Sequence, residues 1–249
     1  DTGAILYTRS GNLQVDKDGN LITATGEYLQ GWTETNGVLD TTGAIRDIRI
    51  PVGALKPPRA TTKVSLDLNL DAQAAQGETF TTSLEVYDSL GQAHLLTVEF
   101  SKTETANEWD YTISFPDADV TNPIPPVTGT IRFDSNGVLV DPPANGTMPS
   151  IEITGLVNGA SDMEITWELY EGLEPRLTQF AQPSALAANA QDGSPPAQLL
   201  RVGIADGGLV LAQYSDGEQR VVGQLAMASV RNPETLIAVG NNNFQLSAR

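Results

Sequence analysis

Short strand-like runs separated by turns of one kind constrain this chain most. Five turns place Asp or Asn ahead of Gly between runs rich in Val, Ile, Leu, Thr or Tyr: VDKDGNLI, YDSLGQAHLL, FDSNGVLV, IADGGLVLA and YSDGEQRVV. Gly adopts positive φ without steric cost, and Asx side chains accept hydrogen bonds from nearby backbone, so the combination is typical of β-hairpins. The irregular spacing of the five turns argues against a solenoid.

Hydrophobic alternation gives the same fold class. In KVSLDLNL, the residues Val64, Leu66, Leu68 and Leu70 alternate with polar residues, a pattern typical of a sheet with one buried and one solvated face. Helical periodicity is nearly absent, and the best helical candidate, PSALAANAQ at 183–191, is short. The sequence therefore predicts an all-β protein.

Two proline-bearing connectors suggest the domain organisation. A chain of 249 residues suggests one large domain or two ordinary ones. Adjacent prolines in ALKPPRATT (54–62) cannot lie in a central strand, and YEGLEPRLTQF (170–180) reads as a second junction. We therefore expect an inserted domain, like a β-barrel or β-sandwich, at 59–172. The flanks 1–58 and 173–249 are then expected to form one discontinuous β domain, since neither is long enough for a comfortable core of its own.

Composition removes several classes of function. The chain has 14 Lys and Arg against 31 Asp and Glu, a net charge of −17, which disfavours nucleic acid and anionic membrane surfaces as partners. It has no cysteine, so disulfides, thiolate metal sites and cysteine nucleophiles are excluded. No apolar run approaches the ~18 residues of a membrane span, and no signal peptide is evident. Since the chain opens at Asp1 without Met, we expect it to be a piece of a longer protein.

One acidic turn has part of the pattern of a calcium loop. Asp16, Asp18, Asn20 and Glu27 fall at positions 1, 3, 5 and 12 of such a loop. Position 6, which needs Gly for a sharp turn, is Leu21, and the flanks are strand-like rather than helical. The pattern favours a hairpin, and the four residues are a disfavoured metal candidate.

Candidate catalytic residues are few. The single histidine, His94, is predicted to lie in a strand near a turn, on the same face as Leu96 and Val98. The GxSxG, GxGxxG and P-loop patterns are absent, and no pair stands out among the 31 acids. A glycosidase with two carboxylates in a cleft is disfavoured but stays open. We therefore expect no catalytic residue and no cofactor.

Tryptophan is the other residue type that could mark a ligand platform. Trp32, Trp109 and Trp167 are far apart in sequence, and each ends or lies in a strand-like run. Packing in a core or at a domain edge is the expected role of all three. Composition and motifs together favour a structural or binding module.

The order of segments is specific enough to resemble a family. YTRSGNLQVDKDGNLITATGEYLQGW (7–32) resembles a hairpin of the flagellar axial proteins, which comprise the rod, hook and hook-associated proteins. TTKVSLDLNLDA (61–72) and the segment beginning VYDSLG (86–113) are similar to the inserted domain of flagellar hook proteins, and 199–245 is similar to the second flank, closing on GNNNF. QDGSPPAQL (191–199) and SVRNPETL depart from the usual pattern, which puts the loop contacts there in doubt.

The resemblance implies a structural role. A hook subunit polymerises with copies of itself into a curved, flexible tube that carries torque from the motor to the filament, outside the cell and without a cleaved signal peptide. Rod, hook-cap and hook–filament junction proteins are the implied further partners. The terminal helical segments of the family are missing from this sequence, so the chain by itself is expected to be monomeric.

Flexibility of such a tube suggests hinges in the proline-bearing connectors. The hinge candidates are Lys56, Pro57, Pro58, Glu174 and Pro175; the sequence does not predict which residues touch neighbouring subunits. An adhesin or carbohydrate-binding β module is the alternative from a different class.

Overall fold

The computed structural model of the chain describes residues 5–35, 38–50, 52–53 and 55–246. The chain divides into a first unit, made of the residues up to Lys56 and from Ala197 onward, and a second unit, Pro57–Pro196. The secondary structure is almost entirely strand, so the predicted all-β class is confirmed. Within the described ranges, no helix has the length and hydropathy to cross a membrane.

The elements follow in chain order. The first unit begins with β1 Tyr7–Thr8, β2 Leu13–Val15, β3 Leu21–Thr23, β4 Gln30–Thr33 and β5 Arg46–Asp47. The second unit contains β6 Lys63–Asp71, β7 Thr79–Tyr87, β8 Ala93–Lys102, β9 Glu108–Ser114, β10 Val127–Phe133, β11 Leu139–Asp141, β12 Ser150–Ile153, β13 Met163–Trp167, β14 Tyr170–Glu171, β15 Glu174–Pro175, β16 Leu177–Phe180 and β17 Ala185–Gln191. The first unit resumes with β18 Leu199–Ile204, β19 Leu209–Tyr214, β20 Gln219–Leu225, β21 Leu236–Gly240 and β22 Asn243–Leu246. Among the described residues, single 3₁₀ turns lie at Asp117–Asp119, Asp206–Gly208 and Pro233–Thr235.

Two sheets enclose the core of the second unit. One is antiparallel in the order β11-β10-β9-β8-β7; in the other, in the order β12-β13-β6-β16, β17 also pairs with β6. Alternate residues of β6, β8 and β9 are buried, as the period-2 pattern predicts. Trp109 and Trp167 lie fully buried in this core, and Trp167 packs edge-on against Phe100 and Tyr111.

The best helical candidate is a strand. Ala185–Gln191 forms β17 and pairs antiparallel with β6, with a bulge between Leu186 and Ala188. Alanine has the highest intrinsic helix propensity, but propensity differences are small per residue, and pairing with a long neighbouring strand overrides them.

The second domain boundary lies later than the expected residue 172. Strands β16 and β17 both hydrogen-bond to β6, parallel and antiparallel respectively, so residues 173–196 belong to the second unit. The first boundary, expected at 58, lies at Lys56. The second boundary depends on pairing between strands that are more than a hundred residues apart. Local periodicity carries no information about which distant strands pair.

The first unit holds a smaller core and three sheets. The largest sheet has the order β18-β19-β20-β4-β5, β2 and β3 form a hairpin, and β1-β22-β21 form a three-stranded sheet. The buried core of this unit consists of Leu21, Ile48, Ile50, Ala197, Val210, Ala212, Tyr214 and Val222. Trp32 of β4 is half-buried, and its indole N–H donates to the carbonyl of Gly43 at 2.8 Å.

Candidate functional site

Three of the five predicted turns share one hydrogen-bonding pattern. Each begins with an aspartate, Asp16, Asp88 or Asp134, whose Oδ1 accepts the backbone N–H groups two and four residues later. The glycine three residues later has positive φ and donates its N–H to the carbonyl of that aspartate. The aspartate is therefore a structural part of the turn.

The calcium candidates take part in this turn and in the hydrogen bonds beside it. Asp16 Oδ1 accepts the N–H groups of Asp18 and Asn20 at 2.9 and 2.8 Å, and its Oδ2 accepts the Asn20 side-chain amide at 2.9 Å. The Asn20 amide bond contributes most to lowering the pKa of Asp16 below its ordinary value. Glu27 accepts the hydroxyls of Thr23 and Thr25 and, at 3.1 Å, the amide of Asn243. The carboxylates of Asp16 and Glu27 thus accept hydrogen bonds from the protein's own donors.

The single histidine is the centre of a buried polar cluster in the second unit. His94 Nε2 lies 3.0 Å from Asp88 Oδ2, and its Nδ1 lies 2.8 Å from Asp119 Oδ2. Asn158 donates to Asp88 Oδ2 and to the side-chain oxygen of Gln92. Asp88, His94, Asp119 and Asn158 are called the His94 cluster below. It joins the β7–β8 turn, the 3₁₀ turn Asp117–Asp119 and the β12–β13 loop.

The two carboxylates beside His94 favour its charged form. An ionised carboxylate only accepts hydrogen bonds, so a ring that donates from both nitrogens, the imidazolium form of His94, matches this arrangement. Burial by itself opposes that charge, but the hydrogen bonds and charges of Asp119 and Asp88 outweigh it and raise the pKa of His94. Burial likewise opposes the charge on Asp88, and the bonds from His94 and Asn158 outweigh it and lower its pKa.

The His94 cluster is suited to holding loops together. A catalytic base needs a free nitrogen that reaches the substrate, whereas both nitrogens of His94 are occupied and its side chain is 1% exposed. In the part of the chain that the structure describes, no group of three or more His, Asp or Glu side chains is placed to hold a metal ion. The aromatic ring of Phe115 covers the imidazole at 5.2 Å between centroids.

The hinge candidates Lys56, Pro57 and Pro58 lie where the chain passes from the first unit to the second. In the first unit, the Lys56 ammonium pairs with Asp216, at 2.8 Å, and with Glu218. Burial opposes the charge of Lys56, but the hydrogen bonds to Asp216 and Glu218 raise its pKa. The Lys56 backbone N–H donates to the carbonyl of Ala197 at 2.7 Å, which ties the two boundary residues of this unit together.

The other two hinge candidates lie away from any boundary. Glu174 and Pro175 form β15, which pairs with β14 inside the second unit. The return passage is at Pro196–Ala197, within the sequence SPPA. The proline pair of SPPA lies in QDGSPPAQL (191–199), one of the two segments that depart from the family pattern. That departure is the sequence signal that could have located the return from the second unit to the first.

Sequence reasoning placed His94 in a strand beside a turn but found none of its partners. Asp119 lies 25 residues from His94, and Asn158 lies 70 residues from Asp88. Nothing distinguishes these residues from other Asx residues in an acidic chain. The predicted position of His94 on the same strand face as Leu96 and Val98 was a usable signal, because a buried imidazole needs polar partners.

Family models match both units of the chain. Residues 56–194 match the model described as "Flagellar basal body protein FlaE D2 domain", and residues 1–69 match "Flagellar hook protein FlgE/F/G D1 domain". The chain is 29% identical over 254 residues to the flagellar hook protein FlgE of Escherichia coli and 30% identical over 270 residues to that of Borreliella burgdorferi. Each alignment covers 96% of this chain but 60% of the relative, so the chain spans about 60% of their length.

A solved structure has a similar fold. The crystal structure of Helicobacter pylori flagellar hook protein FlgE2 superposes with a TM-score of 0.67 and covers 96% of this chain and 85% of the other. The sequence identity is 14%, so this likeness bears on the fold alone.

Proposed function

Because the chain belongs to the flagellar hook protein family, we propose that it is the β-rich part of a hook subunit. Its parent chain polymerises into a curved, flexible tube outside the cell that transmits torque from the motor to the filament. The contacts of such a tube are heterologous and propagate helically without closing. The chain's role in this proposal is structural.

One observation carries the proposal. The match to the D2 family model ends at residues 56 and 194, and the second unit of the structure ends at Pro57 and Pro196. The D2 match and the second unit thus have nearly the same bounds, while the D1 match, residues 1–69, covers the start of the first unit and extends into the second. This agreement supports the view that the whole two-unit architecture, rather than one shared hairpin, is that of the hook family.

The charge distribution supports weak outer contacts. The second unit carries 5 Lys and Arg against 20 Asp and Glu, a formal charge of −15, whereas the first carries 9 against 11, a charge of −2. Second units of neighbouring copies repel each other, and ions screen that repulsion within about 8 Å at physiological salt. Contacts between them are then modest and polar, which lets neighbours approach and recede as a bent tube turns.

Motion between the units is part of the proposal. We place the hinge at the two passages of the chain, Lys56–Pro57 with Pro58 and Pro196–Ala197. The other expected hinge, at Glu174 and Pro175, lies in the β14–β15 pair inside the second unit and forms no part of this proposal. Solution scattering that fits one fixed arrangement in every condition would count against a hinge.

The partners follow from the same role. Copies of the parent chain are the main partner, with rod, hook-cap and hook–filament junction proteins at the ends of the tube. The 249-residue chain alone is expected to be a monomer in light scattering, and a stable oligomer would contradict this.

Localisation in the source bacterium tests the function. Antibodies raised against the 249-residue chain should decorate the hook in electron micrographs of isolated flagella, between the basal body and the filament. Deletion of the parent gene should abolish hooks and motility, and a plasmid copy should restore both. Hooks that persist after the deletion, or decoration elsewhere on the cell, would overturn the proposal.

A further inference from the structure

Asparagine followed by glycine occurs at three places that the structure describes, all in the second unit. The pairs are Asn136–Gly137, Asn145–Gly146 and Asn158–Gly159; a fourth pair in the sequence, at 36–37, lies outside the described residues. Such a pair is chemically labile, because glycine has no Cβ to shield its backbone nitrogen from the neighbouring side-chain amide. Each pair could therefore undergo spontaneous deamidation.

The three pairs lie in similar hydrogen-bonded turns. Each asparagine is the third residue of a four-residue turn, and the glycine after it donates its N–H to the carbonyl three residues before. The donor–acceptor distances are 3.1 Å for Gly137, 2.8 Å for Gly146 and 3.1 Å for Gly159. This bond restrains the glycine nitrogen in all three turns, so the surroundings of the asparagine side chain set the difference between them.

The side chain of Asn158 is held on all sides as a member of the His94 cluster. Its amide donates to Asp88 Oδ2 and, at 3.0 Å, to the side-chain oxygen of Gln92. Its own Oδ1 accepts the N–H of Ala160 at 3.0 Å. Deamidation needs the side-chain carbon to turn toward the glycine nitrogen, so these bonds must break first. The bond to the Asp88 carboxylate is of the strong, charge-assisted kind.

Asn136 is held less firmly. Its amide donates to Asp134 Oδ2 at 3.4 Å, a long contact for a hydrogen bond, and the residue is exposed. Its turn is fixed to the sheet, however, because the carbonyl of Gly137 accepts the N–H of Gln179 at 2.9 Å. Asn136 is therefore intermediate between a fixed and a free asparagine.

Asn145 is the free member of the set. It lies in the connection between β11 and β12, where both Asn145 and Gly146 are exposed. Within the described ranges, its side-chain amide has no hydrogen-bond partner. No contact has to break before this side chain turns toward the Gly146 nitrogen.

We propose that Asn145–Gly146 is a deamidation site of this chain. The Gly146 nitrogen loses its proton to hydroxide and attacks the side-chain carbonyl carbon of Asn145. The bond from that carbon to the amide nitrogen breaks, the amide nitrogen takes up a proton and leaves as ammonia, and a cyclic succinimide remains. Water then opens the ring at either carbonyl, which leaves aspartate or isoaspartate at this position. Water and hydroxide are the only reagents.

The same reaction has different consequences at the two extremes of the set. At Asn145 the new carboxylate faces water, and the formal charge of the second unit changes from −15 to −16. At Asn158 a new carboxylate would face Asp88 Oδ2, the buried oxygen that its amide now binds, and the two negative charges would repel. The His94 cluster thus withholds the Asn158 amide from a reaction that would disrupt the cluster.

Time courses on the 249-residue chain test the proposal. The folded chain is held at mildly alkaline pH, and peptide mapping by mass spectrometry measures the fraction of each Asn–Gly pair that has become Asp or isoaspartate. Enzymatic methylation of isoaspartate gives a second readout. The same time course in concentrated urea gives the rates of the unfolded chain. Asn145→Gln is the matched control, because glutamine would have to form a larger ring and reacts far more slowly.

The expected result is an order of rates that depends on the fold. In the folded chain, Asn145 should deamidate at least about tenfold faster than Asn158, since Asn158 must first leave a hydrogen bond to a carboxylate. Asn136 should fall between them, and the three rates should converge in urea. Asn158 reacting as fast as Asn145 in the folded chain overturns the proposal, and so does an Asn145 that stays intact while the unfolded chain reacts.

Two substitutions that mimic the aspartate product test its consequences. Asn145→Asp should leave the Tm of the second unit unchanged, because the position is exposed and its amide makes no contact that is lost. Asn158→Asp should lower that Tm, because it places a carboxylate against Asp88. A lower Tm for Asn145→Asp than for Asn158→Asp would overturn the assignment of Asn145 as the free member and Asn158 as the held one.

Discussion

Replacing His94 with leucine is expected to destabilise the second unit by about 3 kcal/mol. The change removes the cation that lies between Asp88 and Asp119 and leaves a buried carboxylate without its countercharge. Removing one partner of a buried ion pair lowers the free energy of unfolding by roughly 3–5 kcal/mol. The lower part of that range applies because Asp88 keeps its bonds from Asn158 and the turn, and Asp119 is partly exposed.

Calorimetry measures the effect. For a unit of this size, 1 kcal/mol corresponds to roughly 3 °C in Tm, so His94→Leu should lower the transition of the second unit by about 9 °C. Adding Asp88→Asn and Asp119→Asn to His94→Leu removes the unpaired charges and should restore a substantial part of the loss. A loss below about 1 kcal/mol, or no recovery in the triple variant, would refute the ion-pair argument.

The pH dependence gives a second measure of the same cluster. The folded pKa of His94 is raised, so its contribution is full below the unfolded value of about 6.5 and is lost as pH rises through the folded pKa. The folded pKa of Asp88 is lowered, so its contribution is present above about 3.9 and is lost as pH falls through the folded pKa. The chain has one histidine, so its NMR titration is unambiguous. A midpoint at or below about 6.5 would contradict the geometry.

Three further changes test other parts of the structure. Gly91→Ala should destabilise the second unit by more than about 2 kcal/mol in urea melts, because its Cβ would lie 2.4 Å from Pro196 and 2.7 Å from Pro58; Gly77→Ala has a similar positive φ but open space, and an equal cost would refute the clash. Lys56→Met should lower the free energy of unfolding by about 1–3 kcal/mol, since it leaves the largely buried Asp216 carboxylate without its cation. Lys17→Met, at an exposed pair, should lower it by under about 0.5 kcal/mol. Calcium at millimolar concentration should leave the Tm unchanged because the protein's own donors occupy Asp16; a rise in Tm would restore the metal-site interpretation.

Local sequence predicted the parts of the fold that local contacts build. Each Asp-initiated turn closes within five residues, so its aspartate and glycine were recognisable without any knowledge of neighbours. The alternation in β6, and the position of His94 on the same buried face of β8 as Leu96, also depend on strand geometry alone. The same local chemistry explains why an acidic turn looks like a calcium loop, since both patterns are made of carboxylates and tight turns.

Only the tertiary structure decided what those elements meet. The boundary at Pro196 and the strand at Ala185–Gln191 both exist because β6 offers open edges to strands more than a hundred residues away. The members of the His94 cluster come from three separate connections. Such contacts depend on topology rather than on propensity, because each local sequence is compatible with many partners and the global packing selects one.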